Sequence, residues 1–265
     1  YIVGGNRQSG ENQDIQLRTL HMDEAPKQHL EDIRLFYDNV YYADVGRTGA
    51  AGVPRHYSGL LKRLHVAPED IVLDVACGTG GWLQACQDAG AKVCGVDLSQ
   101  RAIEVCRGRL PDGQFYAQPA EALPFENGQF DVVTCLGSLE HFVDPVGSLR
   151  EMRRVAKEGA RFLILVPNSD FLTRKLGLFT GTYQVDARED VRTLDAWKVM
   201  FAEAGLSVDQ RWKDLHVLNR QWICSGPWYG WPLRGLQAVA LPLWPLRWQY
   251  QVYHLCSAGS GSEIN

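Results

Sequence analysis

The chain has 265 residues, 45% hydrophobic and 22% charged, with a net charge of −4 and a pI near 6.0. That apolar content builds a full core, and the mild acidity supplies none of the basic surface a nucleic acid requires, so no nucleic-acid partner is expected. Seven cysteines scattered through apolar segments, with no C-x-x-C pair and no metal-ligand spacing, read as free thiols of a reducing, cytoplasmic compartment, with no metal expected.

Residues 1–26 are polar and aperiodic, a loose arm. From Lys27 onward Leu30, Ile33, Tyr37 and Val40 recur at three and four, one helical face, and a short helix through Leu60, Leu61 and Leu64 leads to a strand at Ile71–Val75. After the glycines comes a helix with Trp82, Leu83, Cys86 and Ala89 inward, closed by Gly90. Val93–Val96 is a buried strand ending in Asp97, and Ser99 caps the helix through Ile103 and Cys106.

Strands follow at Gln114–Ala117, Phe130–Leu136 and Arg161–Val166. The helix before the last of these starts at Asp144-Pro145, keeps Val146, Leu149, Met152 and Val155 on one face and stops at Gly159. A final helix begins at Thr193, buries Leu194, Trp197, Phe201 and Ala204, and ends at Gly205. Runs at Leu206–Trp212 and Gln249–Leu255 are strand-like, and no helix signal between them returns the second in parallel, so the last pair is expected antiparallel. The alternation predicts an α/β fold, a Rossmann-like doubly wound seven-stranded sheet with helices on both faces. No charged-then-apolar leader and no run of about 18 apolar residues is visible, which reads as neither secreted nor membrane-spanning. Residues 257–265 read as a flexible tail.

The segment VLDVACGTGG (72–81) places glycines where strand turns into helix, the ligand end of an open parallel sheet. A dinucleotide fits poorly: G-x-G-x-x-G counted from Gly78 puts Leu83 where the third glycine belongs, and Asp74 opposes a pyrophosphate. Asp97, at the end of the next strand, is placed to accept from both hydroxyls of a ribose. A ligand with ribose, positive charge and no phosphate is S-adenosylmethionine.

With VLDVACGTG (72–80), VCGVDLS (93–99), AEALPFENGQFDVV (120–133) and LGSLEHF (136–142) in this order, the chain resembles the class I S-adenosylmethionine-dependent methyltransferases in their small-molecule branch. The resemblance implies that Asp74, Ala76, Cys77, Gly78, Thr79 and Gly80 hold the methionine part. Asp97 takes the ribose, Leu98 lies against adenine, and Ala120 and Glu121 sit at the ring edge. Leu136, Gly137 and Ser138 line the methyl-transfer channel, and S-adenosylhomocysteine is the product. Two positions depart from the family pattern. Ala76 stands for the first glycine, and Pro119 replaces an acid that accepts from the adenine amino group, leaving Gln118 or Glu121 to substitute.

Relatives fold an N-terminal helical segment, here 27–66, over the cofactor, so the resemblance draws Tyr42 to the cofactor and Tyr37, His56 and Tyr57 to the substrate pocket. His141 is the candidate base if the acceptor must lose a proton, while His21, His29, His65, His216 and His254 lack ligand spacing and read as surface or core residues.

Insertions at 168–192, with Phe179 and Tyr183, and at 214–248, with Trp228 and Trp231, are expected to cover the acceptor. Six of the eight tryptophans lie between Trp212 and Trp248, so the 224–248 segment reads as pocket wall, peripheral membrane contact, homodimer contact or core. The expected acceptor is a small apolar or lipid-linked molecule, O-methylation favoured. The alternatives are a polar sugar or amine acceptor, a non-catalytic cofactor-binding scaffold, and, last, a nicotinamide oxidoreductase.

Overall fold

A computed structural model describes residues 24–43, 54–175, 177, 190–216, 224 and 228–259. The short apolar runs become strands and the amphipathic runs helices. In chain order these are α1 (Glu24–Phe36), α2 (His56–Leu64), β1 (Ile71–Val75), α3 (Gly81–Asp88), β2 (Lys92–Asp97), α4 (Gln100–Arg109), β3 (Gln114–Ala117) and β4 (Phe130–Leu136). There follow α5 (Pro145–Val155), β5 (Ala156–Pro167), the one-turn α6 (Leu172–Lys175), α7 (Leu194–Glu203), β6 (Leu206–Lys213), α8 (Trp231–Ala240) and β7 (Gln251–Ala258).

The strands form one seven-stranded sheet in the order β3-β2-β1-β4-β5-β7-β6. β1 to β5 run parallel, and β7 is antiparallel to both of its neighbours. Alternation along the strands divides the core. Leu73, Val75 and Val133 face Leu149 and Met152 of α5 and Trp197 and Phe201 of α7, whereas Val72 and Val132 face α2, α3 and α4 through Leu64, Leu83 and Ile103. Strand order reverses between β1 and β4, which opens a crevice at their carboxyl ends.

Helix starts follow the capping residues. Ser99, Asp144 and Thr193 accept from the N–H groups of Ala102, Gly147 and Ala196 at 3.1, 2.8 and 3.2 Å, each worth about 1 kcal/mol.

The structure corrects the reading of the sequence at several ends. α5 stops at Val155, not Gly159: Ala156 is already extended and pairs with Phe130, and the carbonyls of Arg154 and Val155 are taken by the N–H groups of Gly128 and Gln129. α1 begins inside the expected arm, and β7 runs to Ala258, past the expected start of the tail, because Ala258 pairs with Leu206. Val40 was read on the inner face with Tyr37, yet it is 62% exposed. A π-turn over Tyr37–Tyr41, closed by the Tyr42 N–H on the Tyr37 carbonyl at 2.8 Å, inserts one residue and swings Tyr42 inward instead.

A helix, α8, does lie between the last two strands. Its sequence hid it, since Gly235 interrupts the run and the apolar Leu236 and Val239 face outward rather than forming a buried stripe.

His254 belongs to the core. It lies in β7 between Ile164 of β5 and Arg211 of β6, fully buried, its ring 5.3 Å from that of Phe201. Burial, helped by Arg211, pulls its pKa down to about 4. The unfolded chain therefore takes up this proton first, below about pH 6.5, and the stability His254 supports is lost as pH falls from there toward 4. Between pH 7 and pH 5, urea unfolding should show wild type losing about 2 kcal/mol more than His254→Leu. Equal losses in the two proteins would remove His254 as the source.

Candidate functional site

The chain leaves β1 through a loop that must turn sharply and stay thin. Ala76, Gly78 and Gly80 all have positive φ (61°, 53° and 75°). At Ala76 this left-handed backbone costs about 1–2 kcal/mol relative to glycine. At Gly78 there is no room for a side chain, since a Cβ would sit 3.0 Å from the Tyr42 hydroxyl.

The loop is stitched to β2 and α4. Cys77 N–H donates to the Val96 carbonyl at 3.0 Å, Gly78 N–H to Asp97 Oδ2 at 2.8 Å, and the Cys106 thiol to the Gly78 carbonyl at 3.1 Å.

Asp97 is the centre of this arrangement. Its other oxygen accepts from Ser99 N–H at 2.9 Å, so each carboxylate oxygen holds one backbone donor and keeps a further lone pair. Burial raises its pKa, the Ser99 and Gly78 N–H groups oppose that, and Asp38 adds to it. Asp38 comes from the π-turn after α1, where it accepts from the Ser99 hydroxyl at 2.5 Å and from Arg101 N–H at 3.3 Å. The N-terminal segment is thereby pinned to the start of α4.

Asp74 lies beneath the loop. Thr134 of β4 donates to it at 2.6 Å, and the indole of Trp82 donates to the same Thr134 oxygen at 3.1 Å. Burial pushes the Asp74 pKa up to about 7.

Two cavities meet at Tyr42, Ala76 and Ser138. The smaller, about 630 Å³, gathers Asp97, Leu98, Gln118, Pro119, Ala120 and Glu121 under Leu30, Ile33 and Tyr37. The wider, an open cleft of about 1770 Å³, is lined by Asp74, Cys77, Gly78, Thr79, Tyr57, Trp82, Leu136 and Gly137. The charges suit a cation without phosphate: the smaller cavity has Asp97 and Glu121 and no Lys or Arg in its lining, and the cleft sets Asp74 and Asp88 against Arg109.

Gly80 lines neither cavity; it precedes α3, and a Cβ there would meet Cys106. His141 lines the smaller cavity with Gln118 and Glu121, not the cleft with Gly137. The cause is the tight turn Leu139–His141, which folds it back toward the β2 side. Tyr57 lines the cleft, with His56 beside it at 4.3 Å between rings.

Trp228 and Trp231, expected in a pocket wall, are 75% and 41% exposed and line neither cavity. The α8 segment is fastened at its far end, where the Pro242 and Leu241 carbonyls accept from Lys213 and Gln249 at 2.5 and 2.7 Å, and its tryptophan end stands away from those attachments. Phe179 and Tyr183 lie outside the described residues. The sequence reading missed Asp38, Thr134 and Cys106, whose partners are distant in the chain, and also Asp214 with His216, whose D-x-H spacing was visible but had no place until the sheet was assembled.

A family model described as a methyltransferase domain matches residues 73–164, the stretch from β1 to β5 that carries both carboxylates. A demethylmenaquinone methyltransferase of Renibacterium salmoninarum is 40% identical over 116 residues, 44% of this chain and 47% of that protein. A ubiquinone/menaquinone biosynthesis C-methyltransferase of Geotalea uraniireducens is 31% identical over 165 residues, 58% of this chain and 68% of that protein. The chain thus spans about half the length of the first relative and two thirds of the second. In shape it is similar to a chain of the complex between the Haloferax volcanii Trm112 methyltransferase activator and a methyltransferase. The TM-score is 0.66 at 20% identity, over 87% of this chain and 99% of that one, a likeness of fold alone.

If Asp97 receives the ribose, Asp97→Ala should weaken S-adenosylmethionine binding more than about tenfold in calorimetric titration. Affinity within twofold of wild type, in a protein that still melts cooperatively, would rule that role out.

Proposed function

We propose that this chain, which belongs to the class I S-adenosylmethionine-dependent methyltransferases, methylates a small apolar or lipid-linked acceptor bearing a ring hydroxyl. The observation that carries the acceptor class is the surface of α8 and its flanks, where Trp228, Tyr229, Leu236, Val239 and Leu243 stand exposed together. Large apolar side chains clustered in this way mark a surface that meets lipid or another apolar partner. The segment is tied to the end of β6 through Lys213. The names of the two relatives point to quinone-type acceptors, in keeping with that surface. Among the described residues no helix is long and apolar enough to cross a membrane, so the contact proposed is with the membrane face.

The donor set fits the cofactor: carboxylates without matching cations, and a loop whose Gly78 has no room for a Cβ. Asp97 would hold the ribose hydroxyls with its remaining lone pairs. Leu98, Ala120 and Pro119 would sandwich the base, with Gln118 and Glu121 at its edge. Ala76 to Thr79 would take the methionine end over Asp74. When bound, the cofactor supplies an activated methyl group on a sulfonium. The chain's own part is to aim the acceptor and exclude water. Tyr42, at the meeting of the two cavities, and Tyr57, in the cleft wall, present aromatic rings toward a cationic centre. Among the described residues no group of His, Cys, Asp and Glu can hold a metal ion. O-methylation is favoured by the sequence reading, while the name of the Geotalea relative is that of a C-methyltransferase; for a hydroxyl-bearing ring either reaction would be helped by loss of the hydroxyl proton.

Replacing Leu236, Val239 and Leu243 together by serine should leave cofactor affinity unchanged. It should abolish co-sedimentation with phospholipid vesicles and cut turnover of a long-chain quinol far more than that of a short-chain one. Unchanged vesicle binding, or a change from dimer to monomer in ultracentrifugation instead, would reassign the surface.

A further inference from the structure

The end of β6 carries a histidine–carboxylate pair just behind the wall of the cleft. Asp214, the first residue after the strand, is buried, and its N–H donates to the Gln251 carbonyl at 3.1 Å. One of its carboxylate oxygens accepts the backbone N–H of His216 at 3.1 Å and the other meets His216 Nδ1 at 2.5 Å. A single carboxylate thus fixes both the main chain and the ring of the histidine. An ionised carboxylate only accepts, so Nδ1 carries the hydrogen and Nε2 becomes the basic nitrogen.

The pair adjoins the cleft from two directions. The His56 ring, at the first residue of α2, stacks on His216 with centroids 4.8 Å apart, and His56 in turn meets Tyr57, which lines the cleft with Asp74 and Gly137. On the other side Gln251 holds Asp214 with its carbonyl and sets its side-chain amide 4.0 Å from where a Cβ on Gly137 would be.

We propose that His216 is the general base that removes the acceptor's hydroxyl proton, with Asp214 as its positioning residue and His56 as the wall that orients the ring. The proposal rests on the methyltransferase reading. The acceptor O–H proton passes to His216 Nε2, and the oxygen's electron pair forms the bond to the methyl carbon. The carbon–sulfur pair remains on sulfur as a neutral thioether, and the imidazolium afterwards yields its proton to water.

Electrostatics support the assignment. The bond to Asp214 raises the His216 pKa against the opposing effect of burial, while burial first and His216 second lower that of His56, so of the two stacked rings His216 is the one that holds a proton more readily. Tyr57 of α2 and Tyr253 of β7 also feel Asp214, and both phenols are pushed up chiefly by burial, Tyr57 to about 12, so they stay protonated and do not compete as bases. Asp74 and Arg109 reach this group only through Tyr57, with opposite signs.

The test uses the full chain with catechols and short-chain naphthoquinols as acceptor probes. NMR titration of the histidine ring signals, without cofactor, should give His216 a pKa above the ordinary histidine value in wild type. Asp214→Asn should lower it by at least one unit. In His216→Gln, S-adenosylmethionine affinity should stay within twofold of wild type while turnover at pH 7 falls at least about 100-fold and recovers as rising pH ionises the acceptor itself. Added imidazole should restore turnover to His216→Gly. An unmoved titration in Asp214→Asn, or His216→Gln with wild-type turnover and pH profile, overturns the proposal. Failure of wild type to bind S-adenosylmethionine would instead sink the methyltransferase reading, a result the titration does not share.

Discussion

The Asp97 carboxylate is the fixed point of the molecule. It closes β2, takes the N–H of Gly78 from the loop after β1 and the N–H of Ser99 at the start of α4, and is buried together with Ser99. An unpaired carboxylate at that depth would cost several kcal/mol. The loop must therefore bring its glycine N–H to that oxygen, and this fixes the loop's path. Everything the loop presents to the crevice follows: the left-handed Ala76, the absence of a Cβ at Gly78 and the turn into α3.

That constraint extends to the N-terminal segment. Ser99 uses its hydroxyl twice, accepting from Ala102 as a helix cap and donating to Asp38. Asp38 and Asp97 thus bracket one serine, and Asp38 disfavours the charge of Asp97. Closing the segment over the cavity gathers negative charge around a site whose lining has no Lys or Arg, a repulsion that a bound cation relieves.

The sequence shows those parts whose causes are local. β1, β3 and β4 have the ends read from their apolar runs, and the caps at Ser99, Asp144 and Thr193 behave as their residue types require. The misreadings arise where hydrophobic period does not decide, whether a distant partner, a local insertion or an exposed face does. α5 ends early because Phe130 pairs with Ala156. Val40 turns outward because the π-turn adds a residue that no hydrophobic period encodes. α8 turns Leu236 and Val239 outward, so its period gave no signal. The residues from Asp74 to Thr79 and the pair Asp97-Leu98, which line the two cavities, stood out in the sequence because each motif is contiguous. His216 did not: it meets His56 only after β6 and β7 pair antiparallel and α2 packs beside α3.

The division into two cavities assigns different demands to the two halves of the crevice. The half that holds Asp97 is roofed by Leu30, Ile33 and Tyr37 and floored by short backbone hydrogen bonds, an arrangement suited to holding one ligand in one pose. The other half is wide, and the elements around it end in aromatic and titratable side chains rather than in backbone donors. A base there must touch the acceptor yet exchange its proton with water after each turnover, so it has to stand at the margin of the cleft and not at its floor. His216 is half-buried while its carboxylate partner is fully so, which meets both requirements. His141 lines the cavity of Asp97 and not the cleft, and so fails the first of these requirements.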